Sequence, residues 1–531
     1  MSETLELLNR DPISYDSAAR HEDNVIQQLA YVRQTKRLYE SLWQARGTIE
    51  AITTHHLGLG STHTCTVLGQ HTWIRGSFNV CVPVEVKCGN ASRKVVLRCP
   101  MPHKLAEARY PGSVDDKLNC EVGTYAWIQD NCPEVPIPHL FGFGFSDNRH
   151  VSFSLLTSAS RCLRLITSGT ASSPWSLWRR ICGLFRYPVP SQYTSHPIPL
   201  GLGTGYILLE FIEPSAGQML SNTWAKHRDD PARKDNLFRG VARLMLSLAR
   251  VAQPRIGSFR FHDDGTVALT SRPLFSSTII LENEGAPRII QRSDTYTCTE
   301  AFVSDMLTFH DNRFLNQPNA VYSEEDCRGQ MAVKTLLRTL SHHYIDRDRR
   351  NGPFLLQFTD LHSSNIFVDN DWNVTRLIDL EWVCSLPREM LAVPYWLTGR
   401  GIDQITEEHL DDFDKVRQDF MRILQEEEQT MSAGKGQRIP LARTINNMWE
   451  SRGVWFWHCL DSVNAMYRLL EDHMCPSFSA SLSPEAERIM SDFWCEGSAG
   501  IVAQKLADKE SYDRELRQIF NEGMTVEVSE K

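Results

Sequence analysis

Residues 355–382, LLQFTDLHSSNIFVDNDWNVTRLIDLEW, carry two carboxylates and an amide at suggestive intervals. Asp360 is followed by Asn365 five residues on and by Asp379 nineteen residues on. These residues punctuate short apolar runs. IFV and VTRLI read as strands, and DNDWN between them has hairpin-turn chemistry. Closing that hairpin brings Asp360, Asn365 and Asp379 to one edge. An amide and a carboxylate together there form a hard-oxygen site of the kind Mg2+ prefers, because that ion keeps waters and takes phosphate oxygens as further ligands. The other carboxylate is left to orient a substrate hydroxyl and accept its proton. The commoner use of Asp and Asn is to cap turns. Three such residues in register favour a site.

Those residues need a scaffold, and the flanking sequence supplies one. Residues 15–57 are charged and periodic, which predicts one or two amphipathic helices. Between 61 and 158, the β-branched runs TCTVLG, TWIRGSFNVCVPVEV and RKVVLRCP predict an antiparallel meander. A single helix near KLNCEVGTYAWIQDN interrupts it, and PIPHLFGFGFSDNRHVSFSLL resumes the strand pattern. Residues 159–204 read as an insertion whose basic aromatic piece, PWSLWRRICGLFRYP, is a short surface helix rather than a membrane contact. After the strand YILLEFI the chain turns helical, through DNLFRGVARLMLSLARVAQ and CRGQMAVKTLLRTLSHHYID and, beyond 405, to nearly the end. Trp455, Phe456 and Trp457 are expected in the core. The order predicts a helical extension over 1–60, a β-rich lobe over 61–212 containing the insertion, and a helical lobe over 213–531.

Bulk properties narrow the function. With 531 residues, 41% hydrophobic and 23% charged, the chain is a soluble globular protein with room for a large core. A net charge of −9 gives no global reason to bind nucleic acid, although a polyanion such as ATP needs only local bases and metal. The start lacks a signal peptide and no apolar run is long enough to span a membrane. The fourteen cysteines are scattered without CxxC or zinc spacing, as expected of reduced thiols in the cytoplasm. Three phosphate-motif lookalikes fail on context. GLGTG precedes a strand, AGKGQ lacks the P-loop's leading glycine and Ser/Thr, and RIGSF lacks elbow spacing.

TDLHSSNIFVD…LIDLEW resembles the catalytic and metal-binding segments of the aminoglycoside phosphotransferase, or choline-kinase-like, branch of the protein-kinase-like superfamily. It is particularly similar to the fungal phosphotransferase-family proteins. GSFNVC, VVLRCP, EVGTYAWI, VPIPHLFGFG, LLEFIE and LFRGVARLMLSLA follow in the expected order, so the resemblance runs from about residue 60 past 400. It implies an α+β, two-lobed kinase-like fold, with an antiparallel β N-lobe and a mostly helical C-lobe. It also implies ATP and Mg2+ as cofactors and transfer of phosphate to a hydroxyl of a small molecule. By the same resemblance Asp360 is the catalytic base, and Asn365 and Asp379 hold the metal. Arg98 stands where the family has a strand lysine, with Glu121 as its helix-borne partner. Gly76, Ser77 and Asn79 form the nucleotide-covering loop, and Glu210, Phe211 and Ile212 form the adenine-side connection. His362 lines the catalytic turn, and Glu381 is either a further ligand or a structural contact. The acceptor site falls to helices in about 385–500. The sequence departs from the pattern at Phe358, where the family has a histidine, at Arg98, in the single glycine of the covering loop, and in DLE for DFG. A nucleotide-binding scaffold without turnover, or an interaction platform that binds no nucleotide, are the competing readings.

Overall fold

The computed structural model describes residues 4–153, 191–195, 199–432, 439–478 and 483–529. Most of the expected insertion (159–190 and 196–198), including its basic aromatic piece, lies outside those residues, as does AGKGQ.

The N-lobe is built on an antiparallel sheet. Its strands run in the order His63–Val67, Asn79–Cys88, Ala91–Pro100, Tyr206–Glu210, Leu140–Gly144, His150–Phe153 and Tyr193–Ser195, with Ile74–Arg75 paired to Asn79–Cys88. Side chains alternate across a strand, so Val80, Val82, Val84 and Val86 share one face with Val95, Leu97 and Cys99 of the neighbouring strand. The helices Val25–Gln44 and Arg46–Leu57 bury that face through Leu42, Ile49 and Ile52. Alternation therefore puts Arg98, paired with Cys81, on the opposite face, toward the Ser113–Asn131 helix.

That helix is buried along most of its length, because a second, unanticipated hairpin covers it. Ser258–Phe261 pairs with Val267–Ser271, and Phe259 stacks on Trp127 with ring centroids 5.0 Å apart. Gly123 permits the approach, since a Cβ there would meet the Phe259 backbone at 3.1 Å. The extension also holds more than helices. It opens with a hairpin, Thr4–Leu7 against Arg10–Ser14, which the periodicity did not signal. Ile13, Ala18 and Val25 pack it and the following helix onto Tyr512, Leu516 and Phe520 of the last helix, Ser498–Ser529.

The C-lobe is chiefly helical, with Pro231–Ala249, Thr299–Asn316, Glu324–Tyr344, Glu407–Ser432 and Gly453–Asp461 among its elements. Trp455, Phe456 and Trp457 are buried in it, as expected. The chain thus adopts the expected class, α+β with an antiparallel N-lobe and a helical C-lobe. No described helix is long and apolar enough to cross a membrane.

Candidate active site

Two strand pairings deliver the polar residues of 355–382 to one place. The expected hairpin forms, with Ile366 opposite Leu377, and its ladder continues as Ile378 N donates to Asn365 O at 3.0 Å. Asn365 therefore lies beside the turn that carries Asp379. The second pairing was not anticipated. Leu355–Phe358 runs antiparallel to Val383–Leu386 with Phe358 opposite Val383, so the segment after one strand, Thr359–Asp360, meets the segment before the other, Asp379–Trp382. Thr359 Oγ1 donates to Trp382 O at 2.6 Å. Asn365 Nδ2 donates to Asp360 O at 2.8 Å. These bonds brace the turn that carries Asp360, just after Phe358. Asp379 adopts φ of +62°, a left-handed conformation that turns the chain sharply at that point.

Arg98 meets this turn from the N-lobe. Its Nη1 lies 2.5 Å from Glu121 Oε1 and its Nη2 lies 2.5 Å from Asp379 Oδ1 and 3.0 Å from Glu381 Oε1. Lys117, one helical turn before Glu121, adds a second cation. Its Nζ lies 3.2 Å from Glu121 Oε2 and 3.1 Å from Glu381 Oε1, and it donates to Asn79 Oδ1 at 3.0 Å. Asn79 Nδ2 in turn donates to Glu381 Oε1 at 3.1 Å. Arg98, Lys117, Asn79, Glu121 and Glu381 are all buried, while Asp379 keeps 32% of its side chain exposed. Glu381 is thus held by Arg98, Lys117 and Asn79.

The network is short of positive charge. Glu121, Asp379 and Glu381 face two cations, and Asp360 stands close enough to sense Glu381 and Asp379. Burial, then Glu381, Asp379 and Asp461, raise the Asp360 carboxyl to about 7. Burial outweighs Arg98 at Asp379, whose carboxyl is also raised. Burial acts on Glu381 too, but Arg98 and then Lys117 more than offset it and hold that group below the ordinary range.

The remaining predicted residues are distributed around the cleft. Gly76 N donates to Asn79 O at 3.0 Å, closing a tight turn through Ser77. Ser77 borders a cavity shared with Asp360 and His362, whereas Asn79 is committed to the ion network. Glu210 accepts from His139 N at 3.1 Å, and Phe211 lies under Lys94 at 5.2 Å, with Ile212 next in the connection. His362 is held by its own turn, Nδ1 accepting from Ser364 N at 3.2 Å. Three functional candidates escaped the sequence. Lys117 was visible only as a residue four before Glu121. Asp461, raised to about 6 by burial, borders Asp360 in a small cavity with Tyr395 and Trp457. Lys104 faces the larger cavity.

Among the described residues no three His, Cys, Asp or Glu side chains are already gathered as a metal cluster. The donor chemistry nevertheless suits a hard divalent ion. Asp379 is partly exposed, Asn365 has Oδ1 uncommitted, and the surrounding carboxylates outnumber the cations.

No family model and no curated protein matches the chain. Among solved structures it is similar to an ethanolamine kinase from Plasmodium vivax, at 11% identity over 85% of this chain and 88% of that one, with a TM-score of 0.34. A macrolide 2'-phosphotransferase type I matches at 12% identity over 82% and 97%, with a TM-score of 0.30. A spectinomycin phosphotransferase solved with ADP and spectinomycin matches at 11% identity over 84% and 97%, with a TM-score of 0.27. At scores this low, the fold rests on the strand order and helix packing described above.

Proposed function

We propose that the chain is a phosphotransferase that moves the γ-phosphate of Mg·ATP to a hydroxyl of a small molecule. The supporting observation is the convergence of Asp360 and Asp379 on one cleft where carboxylates outnumber cations, with Arg98 reaching in from the sheet. Asp379 and Asn365 would hold the metal, which when bound supplies charge neutralisation at the phosphates. Glu121 anchors Arg98 through Nη1, so Nη2, which Asp379 and Glu381 share, is the nitrogen that would turn to a phosphate oxygen. Ser77 and the turn at Gly76 cover the phosphates, and the backbone of Glu210, Phe211 and Ile212 meets the adenine.

Asp360 orients the acceptor hydroxyl and takes its proton. The acceptor oxygen bonds to the γ-phosphorus as the bond to the bridging oxygen breaks, and ADP leaves. A carboxyl raised to about 7 is a better proton acceptor than an ordinary aspartate, because a general base works best near the operating pH. The test is ADP release from Mg·ATP in the presence of a panel of hydroxyl compounds, with Asp360→Asn as the comparison. Acceptor-dependent release by the wild type that the variant lacks supports the reading. Nucleotide binding with no release for any acceptor would favour a scaffold.

A further inference from the structure

Two cavities border Asp360. The smaller, about 140 Å³, is walled mostly by C-lobe residues such as Leu391, Tyr395 and Trp457. The larger, about 390 Å³, also takes in Ser77 of the covering loop, so the proposed phosphate cover and the proposed base face one space. Part of its wall comes from the N-terminal extension. Leu7, Leu8 and Arg10 of the first hairpin line it. The hairpin is fastened beside the covering loop, where Asn9 Oδ1 accepts from Arg75 Nε at 3.0 Å and from Nη2 at 2.7 Å.

Most polar groups on this wall are already paired. Arg10 meets Asp23 at 3.4 Å, Gln27 donates to Asn283 O, and Asn283 Nδ2 donates to Tyr31 and His103. Two charged groups are not. Glu284 Oε2 is buried and receives no hydrogen bond. Lys104 has no carboxylate within ion-pair distance among the described residues, and its Nζ sits 4.0 Å from the Tyr31 ring centroid. Burial lowers the Lys104 ammonium to about 8 and raises the Glu284 carboxyl to about 7, outweighing the attraction each feels from the other. Arg313, which with Lys104 acts on Glu284, gives its own hydrogen bonds to Val463 O and Asn464 Oδ1.

We propose that the larger cavity is the acceptor site and that the acceptor is a hydroxyl-bearing zwitterion. Glu284 pairs with its cation, Lys104 pairs with its anion, and Asp360 receives the hydroxyl. The acceptor class deepens the phosphotransfer reading and rests on it, while zwitterion binding itself requires no turnover. The N-terminal hairpin is then part of the substrate pocket, which extends the acceptor site beyond the C-lobe helices.

The experiment is thermal unfolding of the full chain, without nucleotide, against L-serine and 4-amino-3-hydroxybutyrate. These zwitterions hold their charges at different separations. The half-charged controls are 1-amino-2-propanol and 3-hydroxybutyrate. At ten times its Kd a bound zwitterion raises the melting temperature by about 1–2 °C. We expect that rise with at least one zwitterion and with neither control. Lys104→Met and Glu284→Gln should each abolish it while unfolding stays cooperative, and Lys104→Arg should retain it. No rise with either zwitterion, or an equal rise in both charge-removing variants, overturns the proposal. A zwitterion shift without ADP release would instead sink the phosphotransfer reading and leave the binding site standing.

Discussion

Two of the buried ion networks among the described residues differ in balance. At Arg272, Glu282 and Arg288, one carboxylate is gripped by two guanidiniums. Arg272 holds both Glu282 oxygens, and Arg288 donates to them at 2.7 and 3.1 Å. Burial alone would raise Glu282, but Arg272 and Arg288 hold it below its ordinary value. At Arg98 the proportions reverse, and two cations serve three carboxylates with Asp360 close by. Asp379 and Asp360 are both raised there. A saturated network fixes a fold. A network left negative, with one carboxylate partly exposed to a cleft, is what the proposed metal–nucleotide site requires.

The contrast can be broken from the functional side first. Asp360→Asn should cut acceptor-dependent ADP release by about 10²–10⁴-fold, the usual contribution of a general base. Mg·ATP should still stabilise that variant, which thermal unfolding checks. The structural network should respond in stability instead. Glu282→Ala strands two buried guanidiniums and should cost about 3–5 kcal/mol in denaturant unfolding. Its Mg·ATP shift should persist.

The pH dependence separates the two networks further. A carboxyl raised in the native state favours folding at low pH, where it is protonated, and loses that contribution as pH rises through its native value. For Asp360 the loss falls between the ordinary value, 3.8, and about 7. The nucleotide-free protein should therefore lose about 2–4 kcal/mol from this group between pH 4 and 8. Asp360→Asn should flatten that part of the profile in urea titrations at each pH. Activity should move the opposite way, falling as pH drops and Asp360 becomes protonated. The smallest effect belongs to the brace. Thr359→Val removes the bond to Trp382 O and should cost about 0.5–1.5 kcal/mol, read as a shift in denaturant midpoint.

What the sequence disclosed was local or periodic. The hairpin at 366–377 announces itself because strand, turn and strand are contiguous. Alternation along Asn79–Cys88 and Ala91–Pro100 similarly foretells which face holds Arg98. The pairing of Leu355–Phe358 with Val383–Leu386 was hidden, since the whole hairpin separates the two strands in sequence. Yet that pairing is what sets Asp360 beside Asp379. The hairpin Ser258–Ser271 did carry a signal, the DDG turn with Gly265 at φ +80°, masked by its place between two helical stretches. Lys117 could be seen as a neighbour of Glu121 on one helix face, but its burial against Asn79 and Glu381 depends on contacts made across the lobes. Glu284 and Lys104 lie 180 residues apart in sequence, and the cavity they share is completed by the N-terminal hairpin.

The most direct test is thermal unfolding of the wild type and Asp379→Ala, each with and without Mg·ATP. Saturation at about 100 times Kd should stabilise the wild type by about 2.7 kcal/mol, and the variant should show no such shift. Failure of the wild type to shift, or an equal shift in Asp379→Ala, would contradict a metal–nucleotide site at the unbalanced network.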